Sequence, residues 1–184
     1  MTFNDFEIYF TGKVYGDSMI ELIHALKKCE STILENENNT NPFGEYIKTP
    51  IRLYIYCSGG LTIDTFVVTD QMRMLKVPIH TIVFGMTASS GTLLSCVGTR
   101  RYITRNAYML IHGPLFSDAK GNIIKSGYDN SNYRGINWTD TIIRHYVKYT
   151  KMTYKEIEEI FKSPDRYMSP EECLEKGLVD EIID

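Results

Sequence analysis

Residues able to act as nucleophile, base and oxyanion donor fall close together in this chain. The stretch from Phe84 to Pro114 reads FGMTASSGTLLSCVGTRRYITRNAYMLIHGP. Ser89 and Ser90 stand just before Gly91, and His112 lies between Ile111 and Gly113-Pro114. A serine hydroxyl attacks an acyl carbon when a base takes its proton, an acid orients that base, and backbone N–H groups receive the developing oxyanion. Ser89 or Ser90 supplies the hydroxyl and His112 the base. Gly59-Gly60, a turn upstream, supplies amides that can face the negative charge. Each feature also has a plainer reading. Serine ahead of an apolar helix is a favoured N-cap, a histidine at a strand end is commonly structural, and a double glycine suits any strand-to-helix turn.

Rival motifs are missing. The α/β-hydrolase elbow wants glycine two positions either side of its nucleophile, but Thr87 and Ala88 stand two before Ser89 and Ser90. There is no Walker A sequence, HExxH or GxGxxG, so nucleotide and zinc chemistry are not expected, and any need for ATP falls to another protein. The cysteines (Cys29, Cys57, Cys96, Cys173) are widely spaced in apolar contexts without a CxxC pair, which predicts buried free thiols rather than a metal site.

The elements that must position these groups follow from periodicity. Phe6, Ile8 and Phe10 alternate with polar residues, predicting a half-buried strand that ends at Thr11-Gly12. Ser18-x-x-Glu21 has the form of a capping box before Met19, Leu22, Ile23 and Leu26 at helical spacing. ENENNTNPFG, Glu35 to Gly44, predicts an exposed loop. Ile51, Leu53 and Ile55 predict a strand closing at Ser58-Gly59-Gly60, followed by a helix over about Thr62 to Leu75 and a strand over Ile79 to Phe84. Strand, glycine turn, helix, strand is the βαβ rhythm of an α/β domain with parallel pairing. Further on, Ile123-Ile124 predicts a short strand, and Ile142, Ile143, Tyr146 and Val147 mark a helix lasting to about Met152. Thr153-x-x-Glu156 and Ser169-Pro170-Glu171-Glu172 predict two more helix starts. Gly177 stops the last helix before a strand over Leu178 to Ile183.

The totals narrow the function classes. At 184 residues the chain is expected to form one domain with a real core. Net charge −3 gives no electrostatic reason to expect nucleic acid or an anionic membrane as partner. No apolar run approaches the roughly 20 residues needed to span a bilayer. MTFNDFEIYF at the start lacks the basic and apolar regions of a signal peptide, so a reducing, cytoplasmic setting is expected.

Five segments in order resemble the proteolytic subunit of the Clp protease, the ClpP family. They are FTGKV (Phe10 to Val14), YIYCSGGLTI (Tyr54 to Ile63), GMTASSGTLL (Gly85 to Leu94), MLIHGPL (Met109 to Leu115) and SPDRYMSPEECLEKGLVDEI (Ser163 to Ile182). The resemblance implies a ClpP/crotonase-like α/β fold of repeated ββα units, with residues 1–184 as one peptidase domain and a protruding handle at about 116–152. It selects Ser89 as nucleophile, because the family's serine follows a small residue and lies two before glycine. His112 becomes the general base and Asp165 the acid that orients it. The backbone N–H groups of Gly60 and Ser90 become the oxyanion hole. No metal or cofactor is implied. Implied partners are peptide or unfolded polypeptide substrates, further copies in a ring (a heptamer or a double ring), and an AAA+ unfoldase that hydrolyses ATP.

Departures from the family pattern mark a divergent member. Ser163-Pro164 replaces an acid–arginine pair that links rings, Ser58 replaces a proline before the double glycine, and the Asn-rich segment looks like an insertion. The first strand starts close to Met1, leaving little chain for an N-terminal pore loop. Two other readings stay in view. A non-catalytic subunit of a mixed ring normally lacks a triad member, and none is missing here. A crotonase-type enzyme acting on acyl-CoA thioesters usually works with carboxylates, and a full Ser-His-Asp set argues against it.

Overall fold

The computed structural model describes residues 1–40, 49–117, 123–126, 132–133 and 136–184. The first half runs β1 (Thr2–Phe3), β2 (Glu7–Val14), α1 (Gly16–Thr40), β3 (Ile51–Gly60), α2 (Thr62–Met74), β4 (Ile79–Ala88) and α3 (Ser90–Ser95). Then come β5 (Arg100–Thr104), β6 (Tyr108–Ile111), β7 (Leu115–Ser117), β8 (Ile123–Ser126), β9 (Asn132–Tyr133) and β10 (Ile136–Asn137). The chain finishes with α4 (Trp138–Tyr149), α5 (Tyr154–Lys162), β11 (Arg166–Met168), α6 (Pro170–Glu175) and β12 (Glu181–Ile183).

Alternation in β3 sets the orientation of the main sheet. Ile51, Leu53, Ile55 and Cys57 are fully buried, while Arg52, Tyr56 and Ser58 between them are exposed. The strand order is β1-β2-β3-β4-β5-β12. Pairing is parallel from β2 to β12, as the βαβ rhythm predicts, and β1 adds antiparallel at the edge. The two strand-like runs before His112 form as expected, yet they do not pair with each other. Both pair with β4: β5 along His80 to Val83, and β6 along Met86 to Ala88. The change of partner falls at Gly85, whose φ of 66° is the left-handed conformation that glycine adopts without a Cβ clash. It also makes β4 longer than its apolar run, reaching Ala88.

Two apolar clusters flank the region of interest. One gathers Ile8, Phe10, Leu22, Leu26, Ile51, Leu53, Ile55 and Val68 from β2, α1, β3 and α2. The other gathers Ile103, Met109, Ile111, Ile143, Tyr146, Ile157, Phe161 and Cys173 from β5, β6 and α4 to α6. Short α3 joins them, sending Leu94 into the first and Leu93 into the second.

Three expectations need correction. Phe6 is exposed rather than half-buried, because β2 begins only at Glu7. Ser18 is not the N-cap of α1, which starts at Gly16. Its hydroxyl instead reaches back, accepting from the Tyr15 N–H and contacting the carbonyls of Lys13 and Tyr15, so it ties the helix start to the end of β2. Glu35 to Thr40, expected as loop, continues α1. Extending an established helix adds one backbone bond per residue fixed, so polar residues of modest propensity can follow a strong amphipathic start. Residues 41–44 of that expected loop lie outside the described residues.

The capping boxes at Thr153 and Ser169 form as expected, each with its reciprocal Glu contact. Helix α4 stops at Tyr149, the final strand covers only Glu181–Ile183, and β8 contains the Ile123-Ile124 pair, antiparallel to β7. All four thiols are buried, and burial pushes Cys29 up to about 11 and Cys96 and Cys173 up to about 12.

Candidate active site

Ser89 follows the end of β4 and occupies the N-cap position of α3, with φ 55° and ψ −128°. Among the described residues no other non-glycine has positive φ. Such a backbone costs on the order of 1–3 kcal/mol and persists only where the surroundings over-determine it. Here they do. The Ser89 N–H donates to Leu110 O at 2.8 Å, and Ser89 O accepts from the Thr92 N–H at 2.9 Å and from Thr92 Oγ1 at 2.6 Å. Gly91 backs onto Cys57, where an added Cβ would meet Sγ at 3.0 Å. The side chain of Ser89 makes no capping hydrogen bond. The plainer role for this serine, satisfying a helix end, is therefore one its hydroxyl does not perform.

The double glycine packs directly against this turn. Gly59 has φ 89°, and a Cβ there would lie 2.6 Å from Ser89 Cβ. Gly60 has φ 148°, and a Cβ there would strike Val14 O at 2.0 Å. Only glycine allows β3 to approach both neighbours this closely. Ser90 is 2% exposed, and its hydroxyl donates to Gly60 O at 3.0 Å. The two hydroxyls thus differ: that of Ser90 is bonded to the glycine turn, and that of Ser89 has no hydrogen-bond partner among the described residues. The Ser90 N–H belongs to the first turn of α3, where backbone donors have no intrahelical acceptor.

His112 follows directly on β6. Strand β11 pairs antiparallel with β6, placing Arg166 opposite Ile111 and Met168 opposite Met109. Asp165 and His112 are the residues just beyond this pairing, Asp165 before β11 and His112 after β6. Nothing in the sequence marked Arg166–Met168 as a strand. Three residues carry too little periodicity, and their pairing depends on β6 being in place. Gly113 fits beneath α5, where a Cβ would come within 2.9 Å of Phe161 O. The same helix leads into the turn that carries Asp165.

His112 and Asp165 therefore flank the same end of the β6–β11 pairing, and their side chains are not joined. Among the described residues no hydrogen bond links Ser89 to His112 or His112 to Asp165. His112 Nδ1 faces Gly113 O at 2.5 Å. A carbonyl only accepts, so Nδ1 is the donor in this contact, and a neutral ring that donates from Nδ1 keeps its lone pair on Nε2, as a general base requires. Asp165 is exposed.

Ser89, Ser90, Gly60 and His112 line one cavity of about 250 Å³. Leu93, Leu115, Ile142 and Tyr146 make much of its apolar wall, and Ser58 and Thr62 add hydroxyls. A second groove, about 300 Å³, lies among α5, β11 and α6. Four of its charged groups form pairs, Lys176 with Glu156 at 3.0 Å and Arg166 with Glu172. The Ser89 cavity instead brings a serine hydroxyl with no hydrogen-bond partner among the described residues to the same lining as His112. Sequence reasoning gave Thr92 and Tyr146 no part in the site; nothing in their spacing signals that they meet. Among the described residues no group of three or more His, Cys, Asp or Glu is arranged to hold a metal ion, and no helix is long and apolar enough to cross a membrane.

Comparison with known proteins places this chain in a family. The fold is similar to that of a ClpP1 point mutant from Listeria monocytogenes, with a TM-score of 0.74, 20% identity, and coverage of 98% of this chain and 92% of that one. It is also similar to the ClpP protease catalytic domain from Plasmodium falciparum, with a TM-score of 0.69, 23% identity, and coverage of 97% and 84%. At such identities the likeness speaks to the fold. The sequence itself matches the family model for Clp protease over residues 34–184, which takes in the glycine turn, both serines, His112 and Asp165. This chain belongs to the Clp protease family.

Proposed function

We propose that the protein is a serine endopeptidase subunit that cleaves unfolded polypeptides, with Ser89 as nucleophile, His112 as general base and Asp165 as the orienting acid. The observation that carries this reading is the Ser89 turn, a strained backbone that presents an uncapped hydroxyl in a cavity it shares with His112. His112 Nε2 takes the proton from Ser89 Oγ as the oxygen bonds to the peptide carbonyl carbon. The oxyanion is received by the N–H groups of Gly60 and Ser90. The tetrahedral species then collapses, His112 protonates the departing amine, and an acyl-serine remains. Water, deprotonated by His112, hydrolyses that ester and restores the serine. Asp165 enters when the Nδ1 proton turns from Gly113 O to its carboxylate, where it holds the ring and stabilises the imidazolium.

The chain acts, in this reading, as one domain in a ring of identical subunits, a heptamer or a stacked pair, fed by a separate AAA+ unfoldase. An open sheet face supports the assembly. Parallel sheets generally cover both faces. Here, opposite α1 and α2, Tyr9 and Tyr54 stack at 4.5 Å with Phe84 edge-on, and neighbouring Tyr56 is 48% exposed.

A fluorophosphonate probe tests the chemistry, and light scattering tests the assembly. Covalent labelling at Ser89 is expected, and a particle several times the subunit mass. A stable monomer contradicts the ring. A second reading, a non-catalytic subunit of a mixed ring, draws on the contact of His112 with Gly113 O in place of Asp165. It predicts an assembled particle that does not label.

A further inference from the structure

We propose that Tyr146 of α4 is a positioning residue for the oxyanion donor, acting through Thr92 on the Ser89–Ser90 peptide. The inference rests on reading Ser89 as nucleophile and the Ser90 N–H as a donor to the oxyanion. Tyr146 OH and Thr92 Oγ1 lie 2.6 Å apart, and Thr92 Oγ1 lies 2.6 Å from Ser89 O. The direction of the relay follows from proton count. Ser89 O can only accept, so the single hydroxyl proton of Thr92 goes to it, and Tyr146 must donate to Thr92. Burial pushes the Tyr146 phenol above its usual range, so the donor keeps its proton at working pH.

The relay ends on the peptide that matters. Ser89 C=O and Ser90 N–H belong to one planar trans unit and point in opposite directions. Holding the carbonyl toward Thr92 fixes the plane and aims the Ser90 N–H the other way. Thr92 N–H also binds that carbonyl, so backbone and hydroxyl together stop the unit from rotating about the strained Ser89. A run of hydrogen bonds polarises each successive member. Tyr O–H, Thr O–H and peptide C=O in line make the N–H at the far end a stronger donor. Space-filling does not explain the hydroxyl. Tyr146 packs among Ile143, Met109, Ile157 and Phe161, where phenylalanine would fill the same apolar volume.

The test uses the full-length protein in whatever assembly it forms, a fluorogenic peptide, a matching peptide boronate that mimics the tetrahedral species, and fluorophosphonate labelling. Tyr146→Phe should lower kcat and the labelling rate about tenfold with KM within about twofold. That is part of the 10²–10³ that loss of a whole oxyanion donor costs. Boronate affinity should fall by the same factor. Thr92→Val should match or exceed this loss, Thr92→Ser should restore most of the rate, and Tyr146→Phe added to Thr92→Val should cost little more. Should Tyr146→Phe fail to fold, the contrast between Thr92→Val and Thr92→Ser reads the same relay. An inert Ser89→Ala beside a fully active Tyr146→Phe overturns the brace alone. So does a kcat loss with unchanged boronate affinity, which marks a purely structural role. An active Ser89→Ala, or a wild-type protein that neither cleaves nor labels, overturns the nucleophile reading and the brace with it.

Discussion

Ser89 is held by backbone bonds to β6 and α3, by close contact with Gly59, and by a helix seated in two apolar clusters, whereas Asp165 hangs from an exposed turn before a three-residue strand. The difference follows the cost of what each end must do. A positive-φ serine costs on the order of 1–3 kcal/mol, which only a dense, prebuilt surround can offset. An exposed carboxylate just beyond a strand end has side-chain rotamers free to change at little cost. In the proposed triad the Ser89 end is therefore assembled by folding, and the Asp165 end is left to be aligned.

Four experiments break or sharpen that contrast. Ser89→Ala should reduce peptide hydrolysis by about 10⁴–10⁶ while leaving the melting temperature nearly unchanged, since no cap bond is lost. Ser90→Ala, which removes only the bond to Gly60 O, should keep much of the activity. If Ser90→Ala is instead the dead variant, the nucleophile is misassigned. Asp165→Asn should cost about 10²–10⁴ in kcat with stability within about 0.5 kcal/mol of the parent. A loss below tenfold would mean that Gly113 O orients His112 unaided and the acid end is dispensable. Gly59→Ala should destabilise by about 3 kcal/mol or more, from the left-handed φ and the clash with Ser89 Cβ, and activity should fall with it. Denaturant melts of this variant show whether the Ser89 turn is as constrained as its contacts imply.

The smallest effects belong to α5, the helix that leads toward Asp165. Thr153→Ala should cost about 1 kcal/mol through loss of the cap of α5, with no change in kcat beyond that explained by unfolding. Glu156 in the same capping box is held at about 2, against 4.5, by the Thr153 backbone N–H first and then Lys176 and the Thr153 hydroxyl. Its folded value is depressed, so its contribution is complete above pH 4.5 and lost as pH falls toward 2. Glu156→Gln should flatten the melting temperature across that window.

Legibility followed the range of the forces involved. Strand alternation, the βαβ rhythm and the capping boxes at Thr153 and Ser169 depend on neighbours within a few residues, and each was readable. The start of α1 was misread because Ser18 bonds back to the end of β2, a decision made by the strand rather than by the helix. The first part of the Asn-rich run, Glu35 to Thr40, was misread because helix propagation outweighed local composition. Asp165 could be picked only through resemblance, since its place beside the end of β6 depends on β11 finding that strand.

The sequence by itself determined the alternating α/β order, the glycines needed at positive φ, and the family to which the chain belongs, because backbone sterics and periodic burial are written residue by residue. The tertiary structure decided that β5 and β6 both pair with β4 and part at Gly85, that the Ser90 hydroxyl is spent on Gly60, and that Tyr146 meets Thr92 behind Ser89. Those outcomes depend on side chains tens of residues apart arriving at one place, and hydrogen-bond geometry at that range exists only once the sheet and its two clusters have closed.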